Sequence, residues 1–103
     1  REWIYVRDAA EGILKAIENL HKFERNEIMN IGVTKGISVI ELANIIKEIV
    51  GWKGEFVLQP EKPDGAMKKI LIVNKMKEKL DWEPSTKLRE GIKKTVEWYE
   101  RNH

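Results

Sequence analysis

Cysteine is absent from the chain, which excludes disulfides and thiolate chemistry. That suits a reducing cytoplasm, and a cytoplasmic location is the expectation. Histidine occurs only at His21 and His103, far apart and in no metal-ligand spacing. No apolar run approaches the roughly 20 residues of a membrane span, so no membrane partner is expected. No signal peptide is legible either. Glycine is too sparse to form a phosphate cradle, because Gly32-x-x-x-Gly36 has neither dinucleotide nor nucleotide spacing. No Ser-His-Asp or Cys-His set can be assembled, so no catalytic residue is expected here. Net charge is only +2, too little for a nucleic-acid footprint.

What remains is a chain of 103 residues, 42% hydrophobic and 35% charged. That is enough for one small globular domain with a modest core. The chain begins with Arg1 and enters an apolar run at once, as though cut from something longer.

Trp3 to Val6 is aromatic and β-branched and predicts a strand. Asp8 and Glu11 have capping-box spacing, which predicts a helix from about Ala9 to Leu20. Ala10, Ile13, Leu14, Ile17 and Leu20 would form its buried face. Glu27–Ile31 predicts a second strand. Ser38 and Glu41 form a second capping box, opening a helix with Leu42, Ala43, Ile45, Ile46, Ile49 and Val50 inward. Gly51 is its natural stop. Glu55–Leu58 predicts a third strand, and Ile70–Val73 a short strand or extended link. Asn74 is placed to cap a short helix through Leu80. A last helix runs from about Leu88 to Arg101, with Leu88, Ile92, Val96 and Tyr99 buried and Ser85 or Thr86 as its cap. The sum is an α/β domain of about four helices with short strands.

The stretch Glu61–Lys69 separates two of these apolar runs. Pro63 fixes one φ angle, Gly65 admits a positive one, and Asp64 favours a turn. A stiff loop carrying Lys62, Lys68 and Lys69 can receive a phosphate, since a lysine ammonium is a compact point charge. The plainer alternative is a solvated turn. Residues 61–79 hold six lysines, the one basic concentration in the chain. In its distal half, Lys75, Lys77 and Lys79 flank Met76 with no aromatic interleaved. A solvated helix face accounts for them better than nucleic-acid binding does. Trp52 and Trp82 each follow a helix end, where aromatics more often close a core than stack on a base.

Five segments, in order, resemble one family. Arg1-Glu2-Trp3-Ile4-Tyr5-Val6-Arg7-Asp8 is similar to the R-[DE]-[FYW]-[IVL]-[HY]-V-x-D segment of the extended short-chain dehydrogenase/reductases. These are the NAD-dependent epimerases, dehydratases and reductases of nucleotide sugars. Met29-Asn30-Ile31-Gly32 resembles their N-[ILV]-G strand end, and Ile37–Ala43 their [IV]-S-[IV]-x-E-L-A helix start. Lys62–Lys69 looks like the K-P-D-G-T-x-R-K loop typical of GDP-L-fucose synthases. Leu88–Ile92 and Glu97-Trp98-Tyr99 match the closing helix. The sequence departs from the family at Arg7, usually Asp, at Ala66-Met67 and Lys68, and at Ile72, where an aspartate is common.

The resemblance implies that residues 1–103 are one C-terminal substrate-binding domain, the last portion of an extended Rossmann-type enzyme. By it, Lys69 would contact a diphosphate oxygen of a GDP-sugar, with Lys68 and Lys62 nearby, and Asp64 would hold the nucleotide or sugar side. The family's glycine-rich loop, Tyr-x-x-x-Lys pair and Ser/Thr are not in this chain. No cofactor is therefore expected on this chain, and NADP or NAD would bind the missing N-terminal domain. The exposed apolar surface left behind, with Ile28–Ile31 as a strand edge, implies self-association. The alternative is a free-standing, non-catalytic nucleotide- or protein-binding module.

Overall fold

The computed structural model describes residues 1–62 and 71–103. Four α-helices appear: α1 (Val6–Glu18), α2 (Val39–Val50), α3 (Asn74–Leu80) and α4 (Leu88–Asn102). A 3₁₀ turn at Leu20–Lys22 follows α1.

Among the described residues there is no β-strand, so the short strands expected over 3–6, 27–31 and 55–58 are corrected: residues 3–5, 27–31 and 55–58 are extended segments, and Val6 opens α1. The reason is physical. A β-branched run becomes a strand only when a neighbour pairs with its peptide groups, and these segments lack a ladder partner. A reciprocal pair links Arg1 and Ile37, with N···O distances of 3.0 and 2.8 Å. Side chains hold other extended residues. Asn30 Nδ2 donates to the Ile72 carbonyl at 3.1 Å, and Lys75 Nζ donates to the Ile28 carbonyl at 2.8 Å.

Helix α2 forms as its signals predict. Ser38 Oγ accepts from the Glu41 N–H at 3.2 Å, and Gly51 closes the helix at φ 75°. The left-handed region carries no Cβ penalty for glycine. Leu42, Ala43, Ile45 and Ile49 are half-buried, while Ile46 and Val50 stay exposed.

Helix α1 departs from expectation twice. It starts at Val6, so Asp8 is inside it rather than capping it, and Tyr5 at the N-cap makes no side-chain cap bond. Its buried residues are Asp8 and Gly12, whereas Ile13, Leu14, Ile17 and Leu20 are more than half exposed. The helix has turned its small and polar face toward the rest of the chain. Gly12 shows why: a Cβ there would lie 2.8 Å from the Trp82 ring, so only glycine admits this approach.

Asn74 is the first residue of α3, with Val73 at the N-cap, and Lys87 rather than Ser85 or Thr86 precedes α4. No cap side chain bonds in either case. In α4, Leu88, Ile92 and Val96 are half-buried, but Tyr99 is exposed and stacks on His103 at 4.3 Å.

The buried apolar core is Val73, Met76 and Leu80, ringed by Ala16, Phe23, Met29, Ile31 and Trp82. Trp82 thus closes a core, as expected. Trp52 instead lies half out at the end of α2, tilted against Phe56 at 5.3 Å with Lys47 over both rings. The molecule is a slab of 51 × 36 × 20 Å with a radius of gyration of 16.8 Å. A compact chain of this length would give about 13 Å.

Candidate functional site

The loop enters through a turn in which the Lys62 N–H donates to the Gln59 carbonyl at 3.1 Å. Glu61 and Lys62 are exposed there, and the Lys62 ammonium has no ion-pair partner among the described residues. Asp64, Lys68 and Lys69 lie outside the described residues.

The exit from the loop is anchored. The Leu71 N–H donates to Glu2 Oε2 at 3.1 Å, and Asn30 holds the next carbonyl. Gly32 lies directly beneath, where an added Cβ would meet the Leu71 side chain at 2.9 Å. Glu2 Oε1 is buried with no hydrogen-bond partner among the described residues. The N-terminal segment and the end of the 27–32 segment therefore set where the basic loop finishes. Glu2 was missed as an anchor, because its bond to Leu71 spans 69 residues and leaves no local pattern.

The distal lysines are neutralised within the chain. Lys79 and Lys75 pair with Glu27 at 2.6 and 3.2 Å, and Lys77 pairs with Glu83 at 3.5 Å. Lys79 also sits over the Phe23 ring at 5.1 Å. The solvated face expected over 75–79 is thus an ion-paired one. The Lys79 ammonium, then the Glu24 N–H and Lys75, lower the Glu27 pKa from 4.5 to about 2. That pairing takes Lys75, Lys77 and Lys79 out of the basic stretch.

The carboxylates of α1 also have partners. Asp8 is buried and accepts from the Thr86 N–H at 3.0 Å and the Thr86 hydroxyl at 2.9 Å. Glu11 accepts from the Trp82 indole N–H at 2.7 Å. Both are structural ties from α1 to residues 82–86. No described group of three or more His, Cys, Asp or Glu could hold a metal ion.

Of the grooves that flank the N-terminal segment among the described residues, two lie on its α2 and Lys35 sides. One of about 380 Å³ runs between residues 3–6, α2 and α4, walled by Trp3, Tyr5, Leu42, Ile46, Leu88 and Ile92. The other, about 420 Å³, is more polar and includes Thr34, Lys35, Glu83 and Lys87. Neither presents a nucleophile paired with a base.

The chain is similar to parts of larger proteins. Residues 1–32 match the model of the NAD dependent epimerase/dehydratase family. Over its length the chain is similar to epimerases and reductases of sugar nucleotides. It is 32% identical to GDP-L-fucose synthase 1 of Arabidopsis thaliana, over 99% of this chain and 30% of that protein. It superposes on the crystal structure of a UDP-glucose 4-epimerase with UDP-glucose from Thermotoga maritima at TM-score 0.86. Identity there is 39%, over 99% of this chain and 32% of that one. A GDP-6-OMe-4-keto-L-xylo-heptose reductase from C. jejuni gives TM-score 0.88 at 29% identity, over 100% of this chain and 31% of that one. The chain thus spans about a third of the length of these proteins. No described helix is long and apolar enough to cross a membrane.

Proposed function

We propose that this chain is the C-terminal, sugar-nucleotide-binding portion of an NAD(P)-dependent epimerase or reductase, with a GDP-sugar as the ligand. The observation that carries this is the end-to-end likeness to enzymes whose names specify GDP- and UDP-sugars. Lys69, Lys68 and Lys62 neutralise the diphosphate as point charges, and Asp64 accepts from a hydroxyl of the nucleotide or sugar. Glu2 and Gly32 fix Leu71, where the loop ends. The nicotinamide, bound on a separate dinucleotide domain, supplies hydride transfer, and this chain contributes no reacting group.

Lys69→Ala in the full-length enzyme tests this. The expected outcome is a sugar-nucleotide Kd raised about tenfold, near 1.4 kcal/mol, in isothermal titration. Lys93→Ala, on the exposed side of α4, leaves it unchanged. An unaltered Kd for Lys69→Ala removes the loop from the binding site.

A further inference from the structure

The start of α1 lies close against α4. Gly91 allows this: a Cβ there would be 3.2 Å from the Tyr5 Cβ. Lys94, Trp98 and Arg101 follow Gly91 at steps of three and four residues, so they continue along the same side of α4. With Tyr5 and Arg7 they wall a groove of about 600 Å³. Sites for small molecules run to roughly 300–1,000 Å³, so the groove has room for one.

Both walls of this groove carry positive charge. Arg7 on α1 and Arg101 on α4 are exposed, and neither guanidinium has an ion-pair or hydrogen-bond partner among the described residues. Lys94 adds a third cation, paired with Glu90 at 3.3 Å and 5.8 Å from the centre of the Tyr5 ring. Glu97 contributes a carboxylate to the lining, so three positive side chains stand against one negative. A guanidinium presents a planar fork of donors that matches a phosphate. These two arginines differ from Lys75, Lys77 and Lys79, whose charges are met within the chain.

The same groove offers an aromatic surface. Trp98 is 54% exposed, whereas Trp82 packs on the buried core. Stacking on an indole is open to any nucleobase, because every base has a π-face. An exposed indole beside two arginines without partners fits a ligand that has both a planar ring and a phosphate. A bare anion would leave the indole uncovered, and an apolar ligand would leave the arginines unused.

We propose that the groove between residues 5–7 and α4 is a second nucleotide site, in which the base stacks on Trp98 while Arg7 and Arg101 hold the phosphate. Its occupant is a free mononucleotide. One exposed indole receives one base, whereas a nucleic-acid strand is held by a succession of stacking side chains. Arg7 is a position at which the sequence departs from the family it resembles, so this charge is particular to the chain. Neither Glu61 nor Lys62 lines the groove, and the site stands independently of the function proposed for the loop.

Because stacking accepts any base, AMP serves as the probe, titrated calorimetrically into the 103-residue chain. Arg7→Gln and Arg101→Gln change exposed side chains, and each is expected to raise the AMP Kd about fivefold. Trp98→Ala is expected to raise it about tenfold, with Trp98→Phe recovering most of the loss. Lys53→Ala, which removes an exposed charge elsewhere, leaves the Kd unchanged. Inorganic phosphate and adenosine should each bind about tenfold more weakly than AMP. Phosphate that binds as tightly as AMP, or AMP binding indifferent to the two arginines and Trp98, overturns the site. A loss confined to Lys69→Ala gives AMP to the loop, which upholds the functional reading and overturns the groove. Single-stranded oligodeoxyadenylate that binds more tightly than AMP, with a steep salt dependence, makes the occupant a nucleic acid and overturns the mononucleotide assignment. No detectable AMP binding overturns the groove and leaves the loop reading standing.

Discussion

Asp8 is a carboxylate whose role follows from what it touches rather than from its spacing. Its i,i+3 relation to Glu11 has the form of a cap, yet both residues lie within α1 and reach across to Thr86 and Trp82. Removing the Asp8 side chain leaves the Thr86 N–H and hydroxyl short of a buried acceptor. Asp8→Ala is expected to cost about 2 kcal/mol in urea unfolding, and Asp8→Asn, which keeps one acceptor oxygen, less. Equal stability for Asp8→Ala and the parent would show that the tie is dispensable. The spacing put both carboxylates on one face of α1. Their partners, 78 and 71 residues away, left no trace in the local pattern.

Among the elements, α2 was legible to the residue because its start and stop are local chemistry: a serine hydroxyl, a glutamate three residues on, a glycine free to take φ 75°. Helix α3 depends on distant residues instead. Two of its lysines, Lys75 and Lys79, are held by Glu27, which is 13% exposed and ties the extended segment to the helix. Because the folded Glu27 pKa is lowered, its stabilisation is full above the ordinary value near 4.5. It is lost as pH falls through about 2. Acid titration of stability should therefore show a loss between about pH 4.5 and 2. Glu27→Gln should remove that component and lower stability at neutral pH. An identical acid profile for the variant would break the assignment.

At the scale of the whole molecule, three apolar side chains are buried among the described residues, and a broad apolar surface is exposed. With no dinucleotide loop and no acid–base pair, the chain alone is expected to give no turnover with NADPH and a GDP-4-keto sugar. Measurable consumption of NADPH would refute that. A slab this thin encloses only a small core.

Several things were determined by sequence alone: four helices near their observed limits among the described residues, the Ser38 cap, the Gly51 stop and the lack of cysteine. Each depends on neighbours a few residues away, where propensity and side-chain chemistry act directly. Only the tertiary structure decided which face of α1 is buried, that the strand-like segments lack a ladder, and that Glu2 and Glu27 anchor residues far along the chain. Those outcomes depend on which surfaces are present to pack against. Amphipathic spacing shows that a face needs covering, but whether this chain itself covers it is settled only when the elements meet.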